Sequence, residues 1–86
     1  MNAYIQRGNS RYNLGNNQEA IQDYDEAIRL SPQEANAYDN RGTTRAILGN
    51  KRGAISDYQQ AADLYKSQGK TELYQAEIEK IQNLGG

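Results

Sequence analysis

Any chemistry in this chain must come from hydroxyl, carboxyl, amine or guanidinium groups, because its 86 residues include no histidine and no cysteine. Histidine is the most frequent general base, cysteine is a strong nucleophile, and both are usual ligands of zinc and copper. The densest acidic cluster, residues 23–26, lies within a predicted helix and lacks the loop geometry that calcium requires. We interpret this cluster as a solvated helix face. The sequence predicts a protein that is not an enzyme, with no catalytic residues, no metal and no cofactor.

Four arginines form two pairs, and the members of each pair are four positions apart and therefore share one face of a helix. The pairs are Arg7 with Arg11 and Arg41 with Arg45. One hypothesis is a ladder of positive charge that binds an anion or a nucleic acid, with Tyr12 stacking on a base. The other hypothesis is structural, with Asp23 and Asp57 each binding one arginine pair across a contact between helices. We favour the structural hypothesis, because the aspartates recur together with the arginines.

The overall charge also argues against a nucleic-acid partner, since ten Lys and Arg residues oppose eleven Asp and Glu residues for a net charge of −1. A chain with this balance lacks the positive patch that attracts nucleic acids or anionic membranes. No apolar run approaches the ~20 residues that span a bilayer, and no signal peptide opens the sequence. We therefore expect a single cytoplasmic domain without a membrane partner.

The elements that must position these residues follow from an internal repeat with a period of 34 residues. Pairing each residue with the one 34 positions later gives fifteen identities in 34 pairs, without a gap. A period of this length is typical of helical solenoids, in which each unit buries its apolar face only against neighbouring units.

Each copy of the repeat has the pattern of two helices. The first helix of the first copy carries, at helical spacing, Tyr4, Gly8, Arg11 and Leu14. Gly15 suits the left-handed position that ends such a helix, and the asparagine after it can cap the next one. Pro32 separates the two copies. A fifth amphipathic stretch, with apolar residues at helical spacing, covers residues 71–84.

Gly8 and its repeat equivalent Gly42 lie in the middle of predicted helices, where glycine costs ~1 kcal/mol relative to alanine. Neutral drift is a poor explanation for a feature that both copies share. We therefore expect a close approach between helix backbones at this position.

The residues at fixed positions of the repeat resemble the signature of the tetratricopeptide repeat (TPR) family, a 34-residue helix–turn–helix unit. The matching residues of the first copy are Tyr4, Gly8, Gly15, Ala20, Tyr24, Ala27 and Pro32. Those of the second copy are Tyr38, Gly42, Gly49, Ala54, Tyr58 and Ala61. The resemblance implies an all-α fold of five helices: a right-handed solenoid of two repeats, residues 1–34 and 35–68, and a terminal capping helix in residues 69–86. Aligning the capping helix requires a two-residue insertion near residues 66–70.

In TPR proteins the first helices of successive repeats line a concave groove that holds an extended peptide or a partner helix. Carried over by position, the resemblance implies a groove formed by Ile5, Gln6, Asn9, Tyr12, Asn13, Asp39, Asn40, Thr43 and Ile47. Side-chain amides both donate to and accept from a peptide backbone, so Asn9 and Asn40 suit sequence-tolerant binding. The alternative for these asparagines is an ordinary polar surface.

The resemblance therefore implies a non-enzymatic protein-interaction module with a protein or peptide partner. We expect a monomer, with a domain-swapped dimer as the other arrangement. The alternative function is purely structural, in which the chain is an excised or engineered fragment of a longer TPR array and has no ligand of its own.

Some TPR domains bind the acidic carboxyl-terminal tail of heat-shock chaperones through a clamp of cationic and asparagine side chains. With the two-residue insertion, the clamp positions in this sequence are Ile5, Asn9, Asn40, Glu72 and Ala76. None of these is a cation, and without the insertion Lys70 is the one cation at a clamp position. We therefore expect no specific binding of an acidic tail.

Overall fold

A computed structural model describes residues 2–85, and within that range the chain forms helices and no strand. The five helices are α1 (Ala3–Asn13), α2 (Asn17–Leu30), α3 (Ala35–Ile47), α4 (Lys51–Ser67) and α5 (Thr71–Asn83). The all-α repeat architecture predicted from the 34-residue period is therefore confirmed. No helix in the described range is long and apolar enough to cross a bilayer.

The helix ends coincide with the repeated glycines and asparagines. Gly15 and Gly49 follow α1 and α3 with φ of 84° and 85°, a left-handed conformation that glycine adopts without the steric cost of a side chain. Asn50 caps α4, since its side-chain oxygen accepts from a first-turn backbone N–H at 2.9 Å. Asn16 makes no such bond, so the predicted capping by this asparagine is absent at α2. Leu14, predicted to lie on a helix face, follows the last residue of α1 and is 76% exposed.

Each short turn folds its two helices into a hairpin, and the two hairpins and α5 stack in chain order. The packing is most extensive within the hairpins and between α4 and α5, while α2 also packs on α3. The core consists mainly of alanine and tyrosine, with few aliphatic side chains. The buried apolar residues are Ile5, Ala20, Tyr24, Ala27, Ala35, Ala37, Ala54, Tyr58, Ala61, Ala62, Leu64, Tyr65 and Ile81. Small residues let the helices approach closely, and the tyrosine rings fill the remaining space.

The two arginine pairs bind the recurring aspartates, which confirms the structural hypothesis. Arg7 donates from Nε and Nη2 to the Asp23 carboxylate at 3.0 and 2.8 Å, and Arg11 Nη1 lies 3.3 Å from it. Three bonds of 2.8 to 3.0 Å repeat this arrangement among Arg41, Arg45 and Asp57. Asp23 is 2% exposed, so the expectation that residues 23–26 form a wholly solvated face is wrong. A buried carboxylate requires charge-assisted bonds of this kind, and the arginines provide them.

The mid-helix glycines make room for tyrosine rings. A Cβ atom added to Gly8 would lie 2.7 Å from Cε1 of Tyr24, and one added to Gly42 would lie 3.0 Å from Cε1 of Tyr58. A close approach is present at these positions, but the prediction that two helix backbones make it is wrong. It is made by a ring from the second helix of the repeat, rather than by a helix backbone.

Replacing Gly8 with alanine is expected to lower the free energy of unfolding by about 1 kcal/mol. The added methyl group collides with the Tyr24 ring, which is overpacking of a kind that costs ~1–3 kcal/mol, while the helix propensity of alanine returns at most ~1 kcal/mol. Thermal unfolding followed by circular dichroism measures the change, with Ser10→Ala on the exposed side of α1 as the control. A Gly8→Ala variant at least as stable as the wild type would contradict this packing.

The last helix repeats the bounds of α3 with an offset of 36 residues, since α3 covers residues 35–47 and α5 covers residues 71–83. The predicted two-residue insertion is therefore present. It lies at the end of α4, which runs to Ser67, whereas the repeat equivalent of the last residue of α2 is Leu64. α5 packs apolar side chains on α4, and most of its outer residues are polar.

Candidate binding groove

The two helices predicted to form the groove, α1 and α3, meet beside α2 and border an open cavity of about 310 Å³. The cavity is lined by Asn9, Tyr12, Asn13, Tyr24, Asn40 and Thr43. Five of these six residues belong to the groove predicted from the sequence. The sixth, Tyr24, was predicted only as a signature residue of the second helix.

Asn9 is the centre of the polar contacts in this cavity. Its side-chain oxygen accepts from the hydroxyl of Tyr24 at 2.5 Å and from Nδ2 of Asn40 at 3.0 Å. These two donors fix the orientation of the Asn9 amide, because only the oxygen of an amide accepts hydrogen bonds. The Nδ2 group of Asn9 then has no acceptor within residues 2–85, and it is a donor available to a ligand or to water.

The second repeat places Tyr58 as the first repeat places Tyr24. The Tyr58 hydroxyl lies 2.8 Å from Oγ1 of Thr43, the repeat equivalent of Asn9. Burial raises the pKa of Tyr24 to about 12, and burial also raises the pKa of Tyr58. Both hydroxyls therefore remain protonated near neutral pH. Their hydrogen bonds hold the side chains of Asn9 and Thr43 in fixed positions.

Three other predicted groove residues lie outside the cavity lining. Ile5 is 6% exposed and belongs to a core cluster with Ala27 and Ala37, so it is not accessible to a ligand. Its burial follows from the stacking of α3 on α1 and α2, which places Ala37 against it. Gln6 and Ile47 are exposed and do not border the cavity.

Asp39, the remaining predicted residue, belongs to a charged cluster that joins α3 to α5. Nζ of Lys80 donates to Asp39 at 2.7 Å and to Glu77 at 3.2 Å, and it lies 5.6 Å from the centre of the Tyr58 ring. Glu77 is 2% exposed, and with both carboxyl groups ionised its Oε1 has no hydrogen-bond partner within the described residues. Burial, followed by the proximity of Asp39, raises the pKa of Glu77 to about 7. A protonated Glu77 can donate the missing hydrogen bond to Asp39.

Two protein-family models match the chain. One, described as a TPR repeat, matches residues 8–49, and the other, described as a tetratricopeptide repeat, matches residues 35–68. The chain belongs to the tetratricopeptide repeat family. TPR repeats are generally protein-interaction modules, and the family is typically a non-enzymatic scaffold. No curated protein matches the sequence.

The cavity of this TPR domain offers amide, phenol and hydroxyl groups, which form hydrogen bonds with an extended backbone. Within residues 2–85, no three acidic side chains lie close enough together to hold a metal ion. The arrangement is therefore suited to recognition through hydrogen bonds.

Sequence reasoning missed two features of this TPR domain. The first is the place of Tyr24 in the cavity, which the recurrence of Gly8 with Tyr24 and of Gly42 with Tyr58 could have indicated. The second is the Lys80 bridge between α3 and α5. Lys80 lies in the capping helix, after the insertion, where the 34-residue register no longer assigns a partner.

Proposed function

We propose that this TPR domain is a non-enzymatic interaction module that binds an extended peptide, as a monomer, in the cavity between α1 and α3. The observation that carries the proposal is the Asn9 amide, whose oxygen is held by Tyr24 and Asn40 while its Nδ2 remains a donor at the cavity surface. A backbone carbonyl of the peptide is the acceptor that suits this donor. Because the amide is already fixed, binding costs little side-chain entropy.

One observation favours the structural alternative, in which the chain is a segment of a longer array without a ligand. Asn9 and Asn40 bond to each other, so these amides also stabilise the stacking of α3 on α1. The test must therefore separate a loss of binding from a loss of stacking.

Asn9→Asp makes this separation, because the carboxylate keeps the acceptor for Tyr24 and Asn40 but removes the Nδ2 donor. Peptides selected from a random display library on the wild-type chain are titrated against both proteins by calorimetry. We expect Asn9→Asp to fold normally and to bind at least about tenfold more weakly, the value of one good hydrogen bond to a ligand. Gln22→Ala, at an exposed position on α2, is the control and should bind as the wild type does.

Equal affinities of wild type and Asn9→Asp for every selected peptide, or a library that yields no cavity-directed binder, would support the structural alternative. A peptide ending in an acidic tail, free and amidated at its carboxyl end, is included as a further ligand. We expect no binding of either form, because the insertion places Glu72 and Ala76 at the clamp positions where cations are needed.

A further inference from the structure

The outer face of α1 carries residues whose repeat equivalents on α3 form an interface between helices. Within residues 2–85, however, no helix covers this face of α1. Along this face lie Ala3, Arg7 and Ser10, the repeat equivalents of Ala37, Arg41 and Thr44 in α3. Ala37 and Thr44 are fully buried, whereas Ala3 and Ser10 are exposed. The two repeats therefore differ at this face in what is packed against it.

The two equivalent arginines show which contact α1 lacks. Arg41 uses Nε and Nη2 to bind Asp57 in its own repeat, and it uses Nη1 to bind Asp25 of α2 at 2.6 Å. Arg7 makes the same two bonds to Asp23 in its own repeat, but its Nη1 has no acceptor in the described part of the chain. Accordingly the side chain of Arg7 is 56% exposed, against 16% for Arg41.

A shallow depression of about 310 Å³ lies beside the Arg7 guanidinium. It is lined by Ala3, Tyr4 and Arg7. On α3, the equivalent alanine is covered by α2, since Ala37 shares a core cluster with Ala27, and Ile28 packs against that cluster. The contact of α2 with α3 thus combines the carboxylate of Asp25 with an aliphatic side chain three positions later.

We infer that the outer face of α1 is a docking surface for an amphipathic helix of a partner protein, which carries an acidic residue and, three positions later, an aliphatic residue. The acidic residue binds Nη1 of Arg7, and the aliphatic side chain enters the depression beside it. The contact reproduces that of α2 with α3, and it is separate from the cavity around Asn9.

A second copy of this chain fits the surface less well. A symmetric dimer through this face would bring two Arg7 guanidinium groups together, which is unfavourable. A head-to-tail contact would present the outer face of α5, where Leu73 is the one large apolar side chain that is exposed. An acidic residue, Glu72, directly precedes Leu73, so the two cannot reproduce the spacing of Asp25 and Ile28.

The test uses the full chain and a synthetic peptide with the sequence of α2, residues 17–30, stapled between the exposed positions of Gln18 and Gln22. The staple is needed because an isolated helix of this length is marginal in water. We expect saturable binding by fluorescence anisotropy, with amide shifts in NMR spectra on the outer face of α1. Asp25→Asn in the peptide should weaken binding about tenfold, as expected for the loss of one charge-assisted bond.

Substitutions of Ser10 separate docking from folding, because they leave the bonds between Arg7 and Asp23 in place. Ser10→Glu adds bulk and negative charge to the surface and should abolish binding, whereas Ser10→Thr, which reproduces the residue of α3, should retain it. The inference is overturned by equal affinities for the peptide and its Asp25→Asn form, by binding that Ser10→Glu leaves unchanged, or by no binding up to the solubility limit of the peptide. Amide shifts confined to the cavity around Asn9 would overturn it as well. Self-association of the chain that Ser10→Glu abolishes would assign the surface to a second copy instead.

Discussion

Removal of residues 69–86 is expected to abolish the folded monomer. α5 contributes Ile81 and Ile78 to the core cluster of Tyr58, and Tyr74 to the cluster that contains Tyr65, so its removal exposes one whole face of α4. The stability of a solenoid is roughly a sum of terms between neighbouring units, and this chain has only a few such interfaces. The loss of one interface is therefore a large share of a total that is ~5–15 kcal/mol in ordinary domains.

Circular dichroism, thermal unfolding and analytical ultracentrifugation of the truncated chain test this expectation. We expect an unfolded, swapped or oligomeric product. A full-length chain with Gln75→Ala and Glu79→Ala is the control, because both side chains lie on the exposed side of α5 and should leave the melting temperature unchanged. A truncated chain that remains a monomer, with unchanged helix content and melting temperature, would show that α5 does not support the repeats.

Stability is expected to fall as the pH rises from about 5 to about 8, because of the buried Glu77. Its pKa in the folded chain is raised from the ordinary value of 4.5 to about 7, so between these values the folded state holds a proton that the unfolded chain has released. The corresponding stability is fully present below pH 4.5 and is lost as the pH rises through 7. Between pH 5 and pH 8 the free energy of unfolding is expected to fall by an amount on the order of 2–3 kcal/mol. The chain contains no histidine, which would otherwise titrate in the same range.

Glu77→Gln should remove this dependence and make the chain more stable than the wild type at about pH 8. The glutamine amide is neutral at every pH and can donate to Asp39 as the protonated Glu77 does. Urea unfolding across the pH range provides the measurement, and Glu79→Gln, an exposed acid on the same helix, is the control and should follow the wild type. The assignment fails if wild-type stability is flat over this range, or if Glu77→Gln is less stable than the wild type at about pH 8.

The parts of the fold that could be predicted from the sequence are those that both repeats carry. Arginine four positions from arginine, with an aspartate recurring in register, predicted the bonds of the arginine pairs to Asp23 and Asp57, but not the burial of these aspartates. Glycine at the same place in two helices predicted a close approach, although the sequence did not show that a tyrosine ring makes it. In each case the second copy of the repeat carries the same residues, so the sequence shows the same physical constraint twice.

The features that could not be predicted are those that depend on a contact made in one repeat and not in the other. Ile5 has the spacing of a groove residue, but the stacking of α3 buries it, and its repeat equivalent is Asp39, which gives no sign of this burial. Asp39 in turn binds Lys80, 41 positions away in the capping helix. The bond between Asp25 of α2 and Arg41 of α3 joins the two repeats. Within the described residues, no equivalent bond joins the other neighbouring helices. Nothing in a single sequence distinguishes such a pair from two exposed charges.

The extensive contacts of this domain join helices that are consecutive along the chain, and the smaller contact of α1 with α3 reaches past one helix. Little loop-closure entropy is then lost before native contacts begin to form, and topologies of this kind fold in microseconds to milliseconds. Either hairpin can serve as a nucleus, because each contains its own arginine–aspartate bonds and its own tyrosine over a glycine. Each hairpin can therefore begin to form its own contacts independently of the other, and the packing of α2 on α3 then joins them.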